Sequence, residues 1–216
     1  MEKTLFIVFE GIDGCGKDTQ LHKLIGLVKE DDEYPFGNKY SNIWVTREPT
    51  KITKSGEKIS QLIRERDVSG EEATKLYVED RIEHTKLIKE ILKHSHVFSS
   101  RYDISTLSYQ MTQGMDFDYM YELHKYGKNE GAIIPDITIL FDLPVEVALK
   151  RMSLRKSQEE CFEKEEFQRK LKGNLDFCID ELRKRDKRKI IVVNANQEIE
   201  KVTKEMCEKI KDVLEK

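Results

Sequence analysis

An apolar run, Leu5-Phe6-Ile7-Val8-Phe9, leads almost directly into Gly11-Ile12-Asp13-Gly14-Cys15-Gly16-Lys17-Asp18, and the residues from Asp18 to Ile25 read as helix. The run has the pattern of a strand buried on both faces of a parallel sheet. Glycines let the backbone turn so that successive N–H groups point at one anion, and the start of the following helix adds positive potential there. Strand, loop and helix in this order form a phosphate cradle. Its candidate lining is Gly11, Ile12, Asp13, Gly14, Cys15, Gly16, Lys17, Asp18 and Thr19, with Lys17 as the mobile cation for the outer phosphates. The Gly-x4-Gly-Lys spacing is normally followed by Ser or Thr, and here Asp18 stands in that place. The plainer reading is a glycine-rich turn with a solvated Lys17; the strand-loop-helix context speaks for the cradle.

Five strand candidates, Thr4–Phe9, Ile43–Thr46, Val97–Ser99, Ile137–Phe141 and Ile190–Val193, alternate with helical segments. Those helices are Lys17–Lys29, Ser60–Arg66, Glu71–Lys93, Ser105–Gln113, Phe117–Tyr126, Val145–Arg155, Glu159–Lys184 and Glu198–Leu214. The alternation predicts an α/β fold, a five-stranded parallel sheet flanked by helices on both faces, in a single domain over residues 1–216. Asp31–Ser41 and Gly127–Gly131 read as surface loops. Segment 151–174 is dense in charge and poor in aliphatics, the composition of a helical lid or mobile flap and not of a core helix.

A net charge of −3 provides no overall basic field, which argues against a nucleic-acid polymer or an acidic membrane as partner. No apolar run approaches membrane-spanning length, and the chain enters its first strand too early to leave room for a signal peptide. Cys15, Cys161, Cys178 and Cys207 contain no Cys-x-x-Cys pair, so neither a zinc site nor a disulfide framework is indicated and a cytoplasmic location is expected. His94 and His96 read as a loop before a strand.

Four further clusters fall where the chain returns to the carboxyl edge of the expected sheet, the edge at which open parallel sheets bind ligands. Thr46-Arg47-Glu48-Pro49-Thr50 ends the second strand, and Ser100-Arg101-Tyr102-Asp103 leaves the third. Tyr77 and Arg81, four apart on one helix, share a face. Asp142 ends the fourth strand, and Arg151 and Arg155 follow it at helical spacing. Phosphoryl transfer between two phosphorylated substrates calls for such a set, because several negative charges must meet without water to screen them. Lys17, Arg101, Arg151 and Arg155 are the catalytic candidates: Lys17 for the donor, Arg101 bridging donor and acceptor, the other two closing over the transferring group. Tyr77 offers a flat face to a base, and Arg81 offers paired donors to a base carbonyl. The duller alternatives are core packing for Tyr77, a helical ion pair for Arg81 and a solvated charge for Arg155.

Taken in chain order, Phe9-Glu10-Gly11-Ile12-Asp13-Gly14, Gly16-Lys17-Asp18-Thr19-Gln20, Thr46-Arg47-Glu48-Pro49, Asp80-Arg81, Arg101-Tyr102-Asp103-Ile104-Ser105-Thr106, Tyr109-Gln110 and Pro135-Asp136 with Asp142-Leu143-Pro144 resemble the thymidylate kinase family. The motifs cover most of the chain. The resemblance implies a P-loop NTPase fold, transfer of the γ-phosphoryl group of ATP to dTMP to give dTDP, Mg²⁺ beside the ATP, and a homodimer whose other partners are these small nucleotides. Carried across by position, it implies that Asp13 holds the acceptor sugar 3′-hydroxyl, Tyr77 replaces the usual Phe stacked on thymine, and Arg81 reads the thymine carbonyl. It implies further that Arg101 binds the dTMP phosphate, that Ser105 and Tyr109 line base and sugar, and that Glu48 belongs to the same substrate-binding set. A cis bond before Pro49 is also implied. Gly14 stands where one subgroup carries a catalytic Arg; the other subgroup has Gly there and arginines in the lid, the arrangement that Arg151 and Arg155 suit. Two other functions stay open: a kinase for another deoxynucleoside monophosphate, suggested by Tyr77, Thr50 and Met111, and a nucleotide-binding protein that kept the fold without the chemistry.

Three residues depart from the resembled pattern. The family has Ser or Thr at position 18 and Asp at position 100, and this chain has Asp18 and Ser100, the two types exchanged. Both positions belong to the expected metal site. Either the carboxylate has moved to the loop with total charge kept, or the metal geometry has decayed. Cys15 is either a small residue tolerated in the loop or, beside Lys17 and a helix start, a stabilised thiolate open to oxidation.

Overall fold

The computed structural model describes residues 4–27, 35–36, 42–65, 67, 70–126, 130–154 and 162–215. Along them run β1 (Phe6–Glu10), α1 (Lys17–Leu27), β2 (Ile43–Arg47), α2 (Lys54–Glu65), α3 (Gly70–Ile91), β3 (His96–Ser100), α4 (Asp103–Thr112), α5 (Phe117–His124), β4 (Ile137–Asp142), α6 (Val145–Ser153), α7 (Phe162–Asp186), β5 (Ile190–Asn194) and α8 (Ile199–Leu214). Every pairing in the five-stranded sheet is parallel, in the order β2-β3-β1-β4-β5.

The inner strands β1 and β3 are buried at every position, their polar residues Glu10, His96, Ser99 and Ser100 included, as strands with helices on both faces must be. The edge strands β2 and β5 are partly exposed. Alternate side chains of β1 serve two cores. Ile7 and Phe9 join a cluster with Leu24 of α1, Leu107 of α4, Leu175 of α7 and Met206 of α8. Phe6 and Val8 join another with Val97, Tyr102 and Ile88 of α3. Register aligns the carboxyl ends: Phe9 lies opposite Ser100 on one side and Ile139 on the other, Arg47 opposite Ser100, and Asp142 opposite Asn194. The loops that follow these strands therefore open on one edge.

The structure moves several expected boundaries. The second helix begins at Lys54, not at Ser60, because Gly56 lets its first turn pack on Thr50 and Asp80: a Cβ there would lie 2.7 Å from the Asp80 carboxylate. The fifth helix stops at His124, where Lys125 takes the left-handed conformation. His96 is not loop but the first residue of β3, buried, with its Nδ1 accepting from the Leu5 N–H at 3.0 Å. The reading of 151–174 as a flap and not a core helix needs a larger correction in the part that belongs to α7, residues 162–174. Leu171 and Gln168 are buried in α7, which continues the stripe Leu171, Leu175, Ile179, Leu182 into the core. Lys172 and Arg169 on this helix pair with Asp142 at 3.1 Å and with Glu146 at 2.6 Å. The charge that suggested a flap lies around a sparse but correctly spaced apolar stripe. Residues 155–161 of the expected flap, with Arg155, and most of the Asp31–Ser41 loop lie outside the described residues. Among the described residues no helix is long and apolar enough to cross a membrane.

Candidate active site

The chain leaves β1 at Glu10 and turns through Gly11 to Gly16 into α1. Gly11, Gly14 and Gly16 all have positive φ, of 145°, 83° and 92°. Two of them are also packed too closely for a side chain. A Cβ on Gly11 would lie 2.7 Å from Cys15 Sγ and 2.8 Å from the Phe141 carbonyl; one on Gly14 would lie 2.6 Å from the Ala148 carbonyl of α6. The contact at Gly14 is a physical reason why this chain carries no arginine at that loop position. Lys17 is buried at the helix start, where its backbone N–H and its charge both act on the Cys15 thiol. Cys15 is buried and burial pushes its thiol up, against the pull of Lys17, so the structure favours the small-residue reading over the thiolate.

Two cavities flank this loop. One of about 320 Å³ is lined by Asp13, Glu48, Tyr77, Arg81, Arg101, Ser105 and Tyr109 among others, bringing together all the expected acceptor residues. Another, of about 260 Å³, is lined by Gly14, Cys15, Gly16, Thr19, Arg151 and Ala195 among others. Arg101 has positive φ and aims its guanidinium across the first cavity. It pairs with Asp13 and donates to Ser105 Oγ at 3.0 Å, and its guanidinium lies 5.3 Å from the centre of the Tyr109 ring. Tyr109 donates to the other Asp13 oxygen at 3.0 Å. Burial would strip charge from Arg101, but Tyr109, Asp13 and Glu10 outweigh it and raise its pKa.

Glu10 closes β1. It is fully buried and accepts from the Tyr102 N–H at 2.8 Å, the Ser105 N–H at 3.2 Å and the Ser105 hydroxyl at 2.6 Å. It thereby satisfies N–H groups at the start of α4 and fixes the turn that carries Arg101. Burial pushes its carboxyl up, an effect that Ser105 opposes. A charged residue closing a buried strand was its only sequence signal.

Arg81 is almost completely buried and pairs across elements, not along its own helix. Its Nη2 lies 2.5 Å from Glu48 Oε2, a charge contact outside hydrogen-bond alignment, and donates to Thr106 Oγ1 at 2.9 Å. Its Nη1 lies 2.7 Å from His124 Nε2. Glu48 in turn contacts His84 Nδ1 at 2.9 Å, and the peptide bond from Glu48 to Pro49 is cis as implied. Asp80, next to Arg81, accepts from the Thr50 N–H at 2.7 Å and from Thr53 at 2.6 Å, fastening the segment after Pro49. Tyr77 is half-buried on the wall of this cavity, and burial pushes its hydroxyl up. His84, His124 and Thr106 were missed, since their partners lie far away in sequence.

Ser100 ends β3 and donates its hydroxyl to the Asp18 carboxylate, so the two exchanged residues touch. Arg151 donates to the Ala195 carbonyl at 3.0 Å and lies 3.5 Å from the Cys15 carbonyl. It thus sits in the second cavity and braces the loop from α6.

A nucleotide-sized space on each side of one glycine loop, at the carboxyl edge of a parallel sheet, defines a P-loop phosphotransferase. The family model for thymidylate kinase matches residues 9–206. A probable thymidylate kinase of Methanococcus maripaludis is 42% identical over 167 residues, 77% of this chain and 73% of its own length. Those of Methanococcus aeolicus and Thermococcus kodakarensis are 36% and 34% identical, covering 96% and 97% of this chain and 96% and 98% of their own lengths. The chain belongs to the thymidylate kinase family of nucleoside monophosphate kinases.

Proposed function

We propose that this protein transfers the γ-phosphoryl group of ATP to dTMP, with the nucleotides bound on opposite sides of the loop at residues 11–16. The observation that carries the reading is the shared loop: Asp13 lines one cavity while Gly14, Cys15 and Gly16 line the other. In this reading Lys17 and the loop N–H groups hold the donor phosphates, and Arg101 holds the acceptor phosphate. Asp13 and Tyr109 flank the acceptor sugar, Tyr77 stacks on the base, and Arg81 donates to a base carbonyl. Ser105 keeps Arg101 in place, and Glu48 balances the buried charge of Arg81. Arg151 reaches the transferring group only by leaving its two carbonyl partners, and Arg155 joins it from the charged segment after α6. The protein works as a homodimer in the cytoplasm, and light scattering reads the assembly state.

Mg²⁺ fits the residues present. Asp18 exposes a carboxylate at the start of α1 beside the Ser100 hydroxyl. Among the described residues no group of three or more His, Cys, Asp or Glu could hold a metal unaided, which suits an ion that keeps waters and takes ligands from phosphates. Bound there, Mg²⁺ neutralises phosphate charge during transfer. The contact between Asp18 and Ser100 supports exchange over decay. A double-mutant cycle tests it: Asp18→Ser and Ser100→Asp each lower turnover, and the double variant recovers it. Simply additive losses would sink the exchange.

The function is tested by coupled ADP release with dTMP, dUMP, dCMP, UMP and GMP. Release with dTMP above all others is the expected outcome. Preference for another acceptor, or silence with every one despite ATP binding, overturns it.

A further inference from the structure

Arg81 is held from three sides, by Glu48 just after β2, Thr106 of α4 and His124 of α5. His124, the last residue of α5, has Nδ1 2.7 Å from the Met120 carbonyl. A carbonyl only accepts, so Nδ1 carries the hydrogen and Nε2 carries a lone pair. That lone pair faces Arg81 Nη1 at 2.7 Å. Protonation of the ring would set one N–H against another. Burial and the Arg81 charge accordingly push His124 down to about 3, and the ring is neutral through the working range. Thr106 and Glu48 occupy Nη2. Nε is buried with no partner among the described residues, and Nη1 keeps a second hydrogen beyond the one facing His124.

We propose that His124 is a positioning residue for acceptor selectivity. Its lone pair holds the Arg81 guanidinium, which has N–H donors and no acceptor, in the orientation that keeps it against the Glu48 carboxylate, so that a base carbonyl is taken and an amino group is refused. The inference rests on the reading of this cavity as the acceptor site. The alternative orientation matters because Glu48 also lines the cavity. A guanidinium released from His124 uncovers the Glu48 carboxylate, an acceptor that suits the amino group of a cytosine.

The test compares wild type, His124→Leu and His124→Gln with dTMP and dCMP as acceptors. His124→Leu removes the lone pair; it raises the KM for dTMP about tenfold or more, the scale of one hydrogen bond from a charged donor. It leaves the KM for ATP unchanged and narrows the preference for dTMP over dCMP. His124→Gln returns an acceptor oxygen and restores both readouts. A folded His124→Leu enzyme with unchanged preference overturns the proposal, because a purely structural role moves melting and not selectivity. Nitrogen-15 spectra of the wild-type histidines need no variant to fold. A neutral, Nδ1-protonated His124 at pH 5.5 is expected, and a charged or Nε2-protonated ring refutes the lock. Absence of turnover with every acceptor sinks the kinase reading alone, and calorimetric binding of dTMP against dCMP to the same variants then decides the present one.

Discussion

Glu48→Gln leaves the Arg81 guanidinium in place and removes the charge opposite it. The two side chains are 1% and 3% exposed, so water cannot take over the role of the carboxylate. Unit charges about 4 Å apart at an effective dielectric near 20 attract by roughly 4 kcal/mol. Breaking a buried pair from one side typically costs about 3–5 kcal/mol, because the remaining charge is stranded. Asp103 also acts on Arg81, which moves the expectation to the lower end, about 3 kcal/mol. For a chain of this size that loss lowers the melting temperature by about 6–12 °C. Urea unfolding with an unchanged m-value measures the free energy. Pairing the change with Arg81→Met removes the stranded charge, so the double variant is more stable than the sum of the single losses by at least ~1 kcal/mol. A loss below about 1 kcal/mol in Glu48→Gln, or strict additivity, refutes the assignment of Glu48 as the group that compensates the buried Arg81 charge.

Other outcomes follow from the same geometry. His124 has its folded pKa depressed to about 3 from an ordinary 6.5, so its contribution to stability is complete above pH 6.5 and is lost as pH falls toward 3. About 2 kcal/mol of it is gone by pH 5, and urea titrations of His124→Gln show a fall shallower by that amount; equal slopes refute it. Gly14→Ala and Gly16→Ala both pay for a positive φ, about 1–2 kcal/mol, but only position 14 also meets a carbonyl at 2.6 Å, whereas nothing lies within 4 Å of position 16. Thermal melts therefore place Gly14→Ala below Gly16→Ala, and its KM for ATP is the higher; equal melts count against rigid packing of α6 on the loop.

Much of this molecule was legible locally. Each of the five strands appears within two residues of its expected bounds, because buried parallel strands are short apolar runs whose signal owes nothing to distant sequence. The expected acceptor residues from Asp13 to Tyr109 line one cavity, because strand ends and helical spacing place them in advance. The helix at α7 is legible as well, but its seat in the core is not, for the opposite reason: its charged residues outnumber the apolar ones that seat it, and only the helical repeat shows which face turns inward.

The order of β1, its glycine loop and α1 was enough to determine the strand-loop-helix geometry of a phosphate cradle, since that geometry is made within some twenty residues by the backbone alone. Tertiary structure alone decided what surrounds Arg81. Glu48, Thr106 and His124 lie far from it along the chain and meet it only after β2, α3, α4 and α5 have packed. Burial then makes those contacts matter, because a guanidinium cut off from water must find each of its acceptors in the protein.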